Sequence, residues 1–124
     1  MGDNRIFQLG IRSGERNEIA WGKDHVSTQF FDIDTLPDII NTLRGRPVYL
    51  SVDLDVIDPS EMPGTGTPEA GGISTARLID YLQLLPNLNI AGADVVELSP
   101  PCDPNCISTM AACKVLREML LAIG

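Results

Sequence analysis

Two aspartates near the middle of the chain have the spacing of a metal-binding pair. Asp53 and Asp55 come directly after the run 47–52, which is largely apolar and predicts a buried strand. Side chains alternate faces along a strand, so residues two positions apart project to the same side and their carboxylates converge. Two facing carboxylates either share a proton or hold a cation, and oxygen donors suit Mg²⁺, Ca²⁺ or Mn²⁺. The pair therefore predicts a site for a hard divalent ion.

A third carboxylate, Asp58, stands three residues after this pair and precedes a proline. It is placed either to accept hydrogen bonds from backbone amides or to brace Asp53 and Asp55 without binding the ion itself. An EF-hand is excluded, because Asp58 occupies the sixth loop position, where that motif requires glycine. Two alternatives stay open: a pair of exposed acids at a turn, and the aspartate nucleophile of a phosphatase, for which Val56 and Ile57 are partly suitable.

Glu97 ends the predicted strand 88–97, so its carboxylate belongs to the same edge of a parallel sheet as Asp53 and Asp55. At that edge Glu97 could hold a cationic substrate while a metal on the aspartate pair activates water. The loop 64–67 lacks the Lys-Ser/Thr ending of a phosphate-binding loop, so we interpret it as a rigid turn. The three acids together indicate metal-dependent chemistry on a small cationic molecule.

Composition limits the classes of protein and partner. The chain has 124 residues, of which 44% are hydrophobic and 21% charged, as in a globular domain with a core. Its formal net charge of -8 disfavours nucleic acid and anionic membrane surfaces as partners. No apolar run is long enough to span a bilayer, and residues 1–5 lack the features of a signal peptide, so the expected location is cytoplasmic. The three cysteines match no paired zinc spacing and are expected to be reduced thiols.

Strand-like and helix-like segments alternate along the chain. Three strands are predicted, at 5–11, 47–52 and 88–97. Helices are predicted at 15–24, at 36–43, from Gly72 or Ser74 to Leu85, and at 107–123. This alternation predicts an α/β fold with a parallel sheet and helices on both faces. Three strands make a small sheet with an unprotected edge, and the last helix is apolar nearly all round, so further covering structure is expected.

Two consecutive motifs resemble those of a known family of hydrolases. The motifs are Ser51-x-Asp53-x-Asp55-x-x-Asp58-Pro59 and Pro63-Gly64-Thr65-Gly66-Thr67-Pro68-Glu69-x-Gly71-Gly72. They resemble the third metal-binding signature of the ureohydrolases, the arginase and agmatinase family. Segments 8–13 and 94–101 extend the resemblance to essentially the whole chain, and Glu69 with Ser99-Pro100-Pro101 favours the agmatinase branch. The resemblance implies the C-terminal portion of an arginase-like three-layer α/β fold.

The resemblance also implies a reaction and roles for individual residues. Ureohydrolases hold two Mn²⁺ ions and hydrolyse a guanidinium group, which releases urea. On this basis Asp53 would bridge the two ions and Asp55 would bind one of them. Glu97 would grip the guanidinium group by paired hydrogen bonds, and Thr67 would line the substrate pocket. Agmatine, which would yield putrescine, is the favoured substrate, while guanidinobutyrate, arginine and formimino compounds stay open.

Two upstream motifs that complete the family's metal site do not occur in this sequence. They are a Gly-Gly-Asp-His segment and an Asp-x-His-x-Asp segment, and the only histidine, His25, lies in neither kind of motif. Residues 1–124 are therefore predicted to be a single partial ureohydrolase domain, inactive alone. Its expected partners are a missing N-terminal half or further copies of itself. The alternatives are a non-enzymatic self-associating module with a residual divalent-metal site and, less favoured, an Asp-x-Asp phosphatase.

Overall fold

The computed structural model describes residues 5–124 as an alternation of strands and helices. The regular elements are β1 (Phe7–Ile11), α1 (Arg16–His25), β2 (Ser27–Phe30), α2 (Leu36–Leu43), β3 (Pro47–Asp53), α3 (Thr75–Leu82), β4 (Asn89–Val96) and α4 (Ile107–Ile123). Short 3₁₀ turns cover Leu54–Val56, Leu85–Asn87 and Pro100–Cys102. Among the helices of residues 5–124, none is both long and apolar enough to cross a bilayer. The interpretation of residues 1–4 as lacking a signal peptide lies outside the described residues.

The strands pair in parallel, as predicted, but they form two sheets instead of one. β1 pairs with β2, and β3 pairs with β4 in a register that sets Asp53 opposite Val96. The carboxyl ends of a parallel pair meet at one edge, so the segments that follow β3 and β4 are neighbours. The α/β class predicted from the sequence is confirmed.

The structure adds a fourth strand, β2, to the three that the sequence predicts. Its residues, Ser27–Phe30, include one large apolar side chain and are exposed or only partly buried. A strand of this kind is held by its backbone ladder with β1 and needs no alternation of apolar side chains. The hydrophobic pattern therefore could not reveal β2.

Helix α3 begins and ends for identifiable local reasons. Ser74 precedes its first residue, and Ser74 Oγ accepts a hydrogen bond from the amide of Arg77 (3.1 Å), which caps the helix. The helix stops at Leu82, before the predicted Leu85, and the chain tightens into a 3₁₀ turn that contains Pro86. Pro86 has no amide hydrogen to donate to the Leu82 carbonyl, so the α-helix cannot continue through it.

The core lies on one face of the β3–β4 sheet, between this sheet and helices α3 and α4. Fully buried side chains come from the helices and also from the loop after β3; they include Leu54, Ile57, Met62, Leu85 and Val115. Leu54 and Ile57 stand on either side of Asp55 in the sequence, so their burial holds the backbone of this acid in place. The loop that carries the acidic residues is thus part of the core.

Helix α4 is buried along one side only, although its sequence is apolar nearly all round and predicts further covering structure. Ala112, Val115 and Met119 face the core. Apolar side chains elsewhere on the helix are exposed and are called the α4 outer face below: Ile107, Met110, Leu116, Leu120 and Leu121. Residues 5–124 provide packing for one side of the helix only, and this is the physical reason for the exposure of the other side.

An apolar groove, the β1–β3 groove, lies between the two sheets. Its volume is about 490 Å³, and its walls include Phe7 and Leu9 of β1 and Val48 and Leu50 of β3. Within the described part of the chain no strand joins β1 to β3, so each of these strands keeps one edge without a ladder. The expectation of an unprotected sheet edge agrees with this groove.

Candidate functional site

The two aspartates predicted to bind metal stand at the carboxyl end of β3. Asp53 is the last residue of the strand, and Asp55 lies in the 3₁₀ turn Leu54–Val56. Asp53 Oδ1 accepts a hydrogen bond from the amide of Asp55 (3.0 Å), which caps the turn. The prediction that strand alternation brings both carboxylates together is wrong for Asp55, which has left the strand. The two acids are neighbours because the chain turns, with Leu54 buried between them.

The charges around Asp55 oppose its ionisation. Partial burial raises the pKa of Asp55, and the negative charges of Asp53 and Glu97 raise it further. Arg12 and the hydroxyl of Thr67 act in the opposite direction. The hydrogen bond from Thr67 is weak, because its Oγ1 lies 3.5 Å from Asp55 Oδ2, which is long for a hydroxyl donor. The result is a cluster of like charges that a cation would stabilise.

Glu97 follows β4 in the left-handed region of the backbone map, with a φ of 68°. The register of the sheet sets its neighbour Val96 opposite Asp53, so Glu97 lies at the same edge. A Cβ atom built on Gly66 would lie 3.8 Å from Glu97 Oε2, which shows that the Gly-Thr loop borders the glutamate. Non-glycine residues with positive φ are uncommon and collect at functional sites. The structure therefore brings Glu97, the aspartate pair and the Gly-Thr loop to one edge.

Asp58 closes the loop that follows the aspartate pair. Its carboxylate accepts hydrogen bonds from the hydroxyl and amide of Ser60 (2.6 and 3.0 Å) and from the amides of Gly71 and Gly72 (2.8 and 3.2 Å). The hydroxyl and amide of Ser60, together with the two glycine amides, lower the pKa of Asp58 to about 2. These contacts match the first of the two roles that the sequence predicts for Asp58, the acceptance of backbone hydrogen bonds.

The segment before α4 and the first turn of α4 anchor the Gly-Thr loop, and two of the residues involved, Asp103 and Ser108, have no role predicted from the sequence. Ser108 Oγ accepts a hydrogen bond from the Gly64 amide (2.7 Å), and the Gly64 carbonyl accepts one from the Ser99 amide (2.8 Å). Asp103 is buried and accepts hydrogen bonds from the amides of Ser108 and Thr109 (3.1 and 2.8 Å). A signal was present, since Asp followed by Pro shortly before an apolar helix is typical of a helix start.

Arg12 approaches the aspartate pair from the end of β1, and no role was predicted for it from the sequence. Its side chain is 5% exposed. Arg12 Nη1 donates a hydrogen bond to the Val56 carbonyl (3.0 Å), and Nη2 donates one to the Asp55 carbonyl. Nη2 also lies 3.9 Å from Asp55 Oδ1. The only sequence signal was its position directly after a strand, at the edge where the acids gather.

The described residues provide metal ligands of a suitable kind but too few of them. Asp53 and Asp55 offer carboxylate oxygens, which suit Mn²⁺ or Mg²⁺. From residue 5 to residue 124, no group of three or more His, Cys, Asp and Glu side chains is arranged to hold an ion. His25 lies on α1, where Nδ1 contacts the Trp21 carbonyl (2.8 Å) and the ring stacks on Trp21. The residues of this part of the chain therefore do not complete a two-metal site.

In α/β proteins with parallel strands, ligands bind at the carboxyl ends of the strands. Asp53, Asp55 and Glu97 lie at this edge of the β3–β4 sheet. Residues 1–122 match the model of the Arginase family. The chain belongs to the Arginase family, as the resemblance of its motifs implies.

Curated agmatinases are among the relatives of this chain. The agmatinase of Bacillus anthracis is 42% identical to it over 125 residues, and the agmatinase of Bacillus subtilis is 39% identical over 126 residues. Both alignments cover 98% of this chain but only 43% of the relative. The chain thus spans less than half the length of the curated relatives that it matches.

Solved structures show the same fold. A candidate agmatinase from Clostridium difficile matches with a TM-score of 0.94 and 46% identity, over 98% of this chain and 46% of that one. An arginase from Bacillus caldovelox matches with a TM-score of 0.87 and 25% identity, over 96% of this chain and 44% of that one. The arginase-like α/β fold that the resemblance implies is therefore confirmed.

Proposed function

We propose that this chain is the C-terminal portion of a cytoplasmic ureohydrolase of the agmatinase type, which hydrolyses a guanidinium group and releases urea. The observation that carries the proposal is the acidic edge formed by Asp53, Asp55 and Glu97 in a chain of the Arginase family. A negatively charged edge suits a cationic guanidinium substrate, because complementary charge favours its encounter and orientation. Membership of this family also favours a ureohydrolase over an Asp-x-Asp phosphatase.

Glu97 is the proposed binding residue for the guanidinium group. A carboxylate can accept two parallel N–H hydrogen bonds from a guanidinium, which orients the substrate as well as attracting its charge. Thr67, whose hydroxyl lies at the margin of the same cluster, is proposed to line the pocket. Agmatine is the proposed substrate, and putrescine would be the second product.

Asp53 and Asp55 are the ligands that we propose this chain contributes to two Mn²⁺ ions. Asp53 would bridge the ions, and Asp55 would bind one of them. A cation would relieve the repulsion that raises the pKa of Asp55. Because the described residues do not complete the metal site, we assign the water-activating chemistry to the complete protein and expect the chain to be inactive alone.

The rest of the complete protein is proposed to cover the two apolar surfaces that this chain leaves open. The β1–β3 groove and the α4 outer face are both apolar, and the groove is bordered by strand edges without a ladder. Covering them would bury apolar area and pair these edges, which favours docking of a second folded portion. The same portion would bring the missing metal ligands, and the completed protein is expected to form homo-oligomers.

The test compares the chain alone with the chain co-expressed with the N-terminal portion of the Bacillus anthracis agmatinase, the part outside the aligned region. Both samples receive Mn²⁺ and agmatine. We expect no urea from the chain alone above a metal-only blank and clear urea release from the complex. Asp53→Asn in this chain should abolish turnover by the complex, whereas Asp80→Asn, at an exposed position of α3, should not.

Several results would contradict parts of this proposal. Urea release by the isolated chain that Asp53→Asn abolishes would show that no second portion is needed. Preferential hydrolysis of guanidinobutyrate, arginine or a formimino compound by the complex would replace agmatine as the substrate. A folded complex that binds Mn²⁺ yet releases urea from no guanidinium compound would overturn the ureohydrolase function itself.

A non-enzymatic module that associates with itself is the second candidate, and the same two open apolar surfaces favour it. In this case the aspartate pair would be a residual site for a divalent ion. Sedimentation of the purified chain tests the idea, because exposed apolar surface should drive association that increases with concentration. A folded monomer at all concentrations would exclude this candidate.

A further inference from the structure

We propose that Arg12 is a positioning residue, which fixes the turn Leu54–Val56 so that Asp55 presents its carboxylate at the acidic edge. The proposal rests on the proposed function only in treating Asp55 as a member of the site. Arg12 itself makes no contact with substrate in this proposal. It acts on the backbone of the residues that carry the acid.

The contacts of Arg12 converge on the main chain of this turn. Its two terminal nitrogens donate to the carbonyls of Asp55 and Val56, the second at 3.0 Å. The contact with the Asp55 carboxylate is longer, at 3.9 Å between Nη2 and Oδ1. The planar fork of a guanidinium can hold two neighbouring carbonyls in a fixed relation, which a single ammonium cannot do. Arg12 therefore restrains the backbone more than it neutralises the acid.

Burial of the Arg12 guanidinium lowers the stability of the fold, which indicates that its charge or its hydrogen-bond donors have a role. The side chain of Arg12 is 5% exposed, and its Nε finds no hydrogen-bond partner among residues 5–124. A buried cation with an unpaired N–H destabilises a fold relative to an apolar side chain of similar size. A residue that served packing alone would not need the charge or the donors. The Nη1 and Nη2 donors of Arg12 bind the backbone carbonyls of the turn Leu54–Val56.

Arg12 completes a restraint that the core supplies only in part. Leu54 and Ile57 are 1% exposed and fix the two ends of the segment. Between them the amide of Asp55 bonds to Asp53 Oδ1. The Asp55 carbonyl accepts a hydrogen bond from Arg12, and the Val56 carbonyl accepts one from Arg12 and one from the amide of Ile73 (3.0 Å). Gly10 permits this approach, because a Cβ atom at that position would lie 2.4 Å from Val56 Cγ2.

A charge-only role predicts a different result from a positioning role, and two variants separate them. Arg12→Lys keeps the charge but loses the planar fork, and Arg12→Met loses both. If Arg12 were only a nearby cation, Arg12→Met would strengthen the binding of Mn²⁺ and Arg12→Lys would change little. If Arg12 positions the turn, both variants should disorder the turn and weaken the contact of Mn²⁺ with Asp55.

The experiment measures amide hydrogen exchange by NMR in the purified chain, with and without Mn²⁺. Without metal, both Arg12 variants should speed exchange at the amides of Asp55 and Ile57 about tenfold or more, while the β3–β4 ladder stays protected. Arg77→Met is the matched control, because Arg77 pairs with Asp32 (2.8 Å) away from the turn. It should leave exchange at Asp55 and Ile57 unchanged. If the β3–β4 ladder loses its protection in Arg12→Met, that variant is unfolded, and the exchange rates of Arg12→Lys alone then test the positioning role.

Mn²⁺ provides the second readout, since this paramagnetic ion broadens the signals of all residues near its site. In the wild-type chain we expect broadening centred on Asp53 and Asp55, and the Arg12 variants should need a higher Mn²⁺ concentration for the same broadening. Unchanged exchange at the turn in Arg12→Lys and Arg12→Met, or broadening at a lower Mn²⁺ concentration in Arg12→Met, would overturn the positioning role. Absence of broadening at both aspartates in the wild type would count against the proposed metal site, while the exchange rates would still decide the role of Arg12.

Discussion

Asp55 and Asp58 stand three residues apart but have opposite electrostatic surroundings. Asp58 receives four hydrogen bonds from the loop that it closes. Asp55 is partly buried beside two other acids. The first arrangement stabilises the ionised carboxylate and the second destabilises it. Asp58 therefore contributes to the stability of the fold, whereas the ionised carboxylate of Asp55, which we propose as a metal ligand, lowers that stability.

Asp58→Asn should lower the melting temperature at neutral pH and remove part of the loss of stability in acid. The pKa of Asp58 is lowered to about 2 in the folded chain from an ordinary value of 3.8. Its stabilising effect is therefore complete above about pH 4 and disappears as the pH falls toward about 2. Thermal melts followed by circular dichroism across this range should show a flatter pH profile for Asp58→Asn. Asp80→Asn is the control, and a wild-type profile in Asp58→Asn would contradict the assignment.

Asp55→Asn should have the opposite effect and raise the melting temperature of the metal-free chain at neutral pH by a few degrees. Because the folded-state pKa of Asp55 is raised, its favourable contribution exists below the ordinary value of 3.8 and is lost as the pH rises through the folded value. An asparagine side chain cannot ionise, so Asp55→Asn avoids the loss of stability that accompanies ionisation of Asp55. Calorimetry with and without Mn²⁺ measures both effects, since any stabilisation by Mn²⁺ should disappear in the variant. A lower melting temperature for metal-free Asp55→Asn would refute the prediction.

The loop between β3 and α3 has a definite shape because several elements hold it. Ile57 forms an isolated bridge with Ile73, Asp58 binds the two glycine amides before α3, and Gly64 is fixed to α4. These restraints come from three directions, so the loop behaves as part of the scaffold. The Gly-Thr segment owes its position to α4 as much as to its own sequence.

Gly64→Ala should destabilise the chain by about 1–3 kcal/mol, the usual range for overpacking at a tight position. A Cβ atom on Gly64 would lie 2.6 Å from Asp103 Cβ and 2.8 Å from both Cβ and Oγ of Ser108. Gly22→Ala is the matched control, because nothing lies within 4 Å of the added atom in helix α1. In the helix interior this change should be neutral or stabilising by about 0.5–1 kcal/mol. Urea unfolding of both variants gives the comparison, and equal effects would show that the Gly64 contact is not restrictive.

The molecule as a whole consists of two parallel strand pairs with one well-packed core. Helices α3 and α4 cover one face of the β3–β4 pair, while the opposite face exposes Tyr49, Ser51 and Asp53. The β1–β3 groove and the α4 outer face add further open surface. Monomeric proteins rarely leave contiguous apolar surface of this kind uncovered, which supports the proposal that the rest of the complete protein docks on these surfaces.

Leu120→Lys should reduce association of the isolated chain, because it places a charge in the α4 outer face. Leu120 is 59% exposed, so the change should weaken association about tenfold without lowering the melting temperature. Gln83→Lys adds the same charge at an exposed position after α3 and should leave association unchanged. Sedimentation velocity at several concentrations makes the comparison. Equal association of the wild type and Leu120→Lys would place the contact elsewhere, for example in the β1–β3 groove.

The amino-acid sequence alone determined the parts of this protein that depend on local pattern. The local residue pattern predicts the structure of three segments: the apolar run before Asp53, the apolar stripe of α3 and the proline-bounded Gly-Thr segment. The α/β class and the edge where Glu97 meets the aspartates followed from the alternation of these segments. Local periodicity was sufficient because each element buries its own apolar side chains.

Contacts between distant residues decided the rest, and these have no local signature. Arg12 donates a hydrogen bond to the carbonyl of Val56, 44 positions away in the sequence. The Gly64 amide donates one to Ser108 Oγ across the same separation. The fourth strand is held by its ladder with β1, and Asp55 leaves the strand because Leu54 turns into the core. The aspartate pair was visible in the sequence as a spacing. Only the tertiary structure decided that a 3₁₀ turn, a buried arginine and the packing of Leu54 and Ile57 give the pair its geometry, because side chains from separate elements must pack together to fix it.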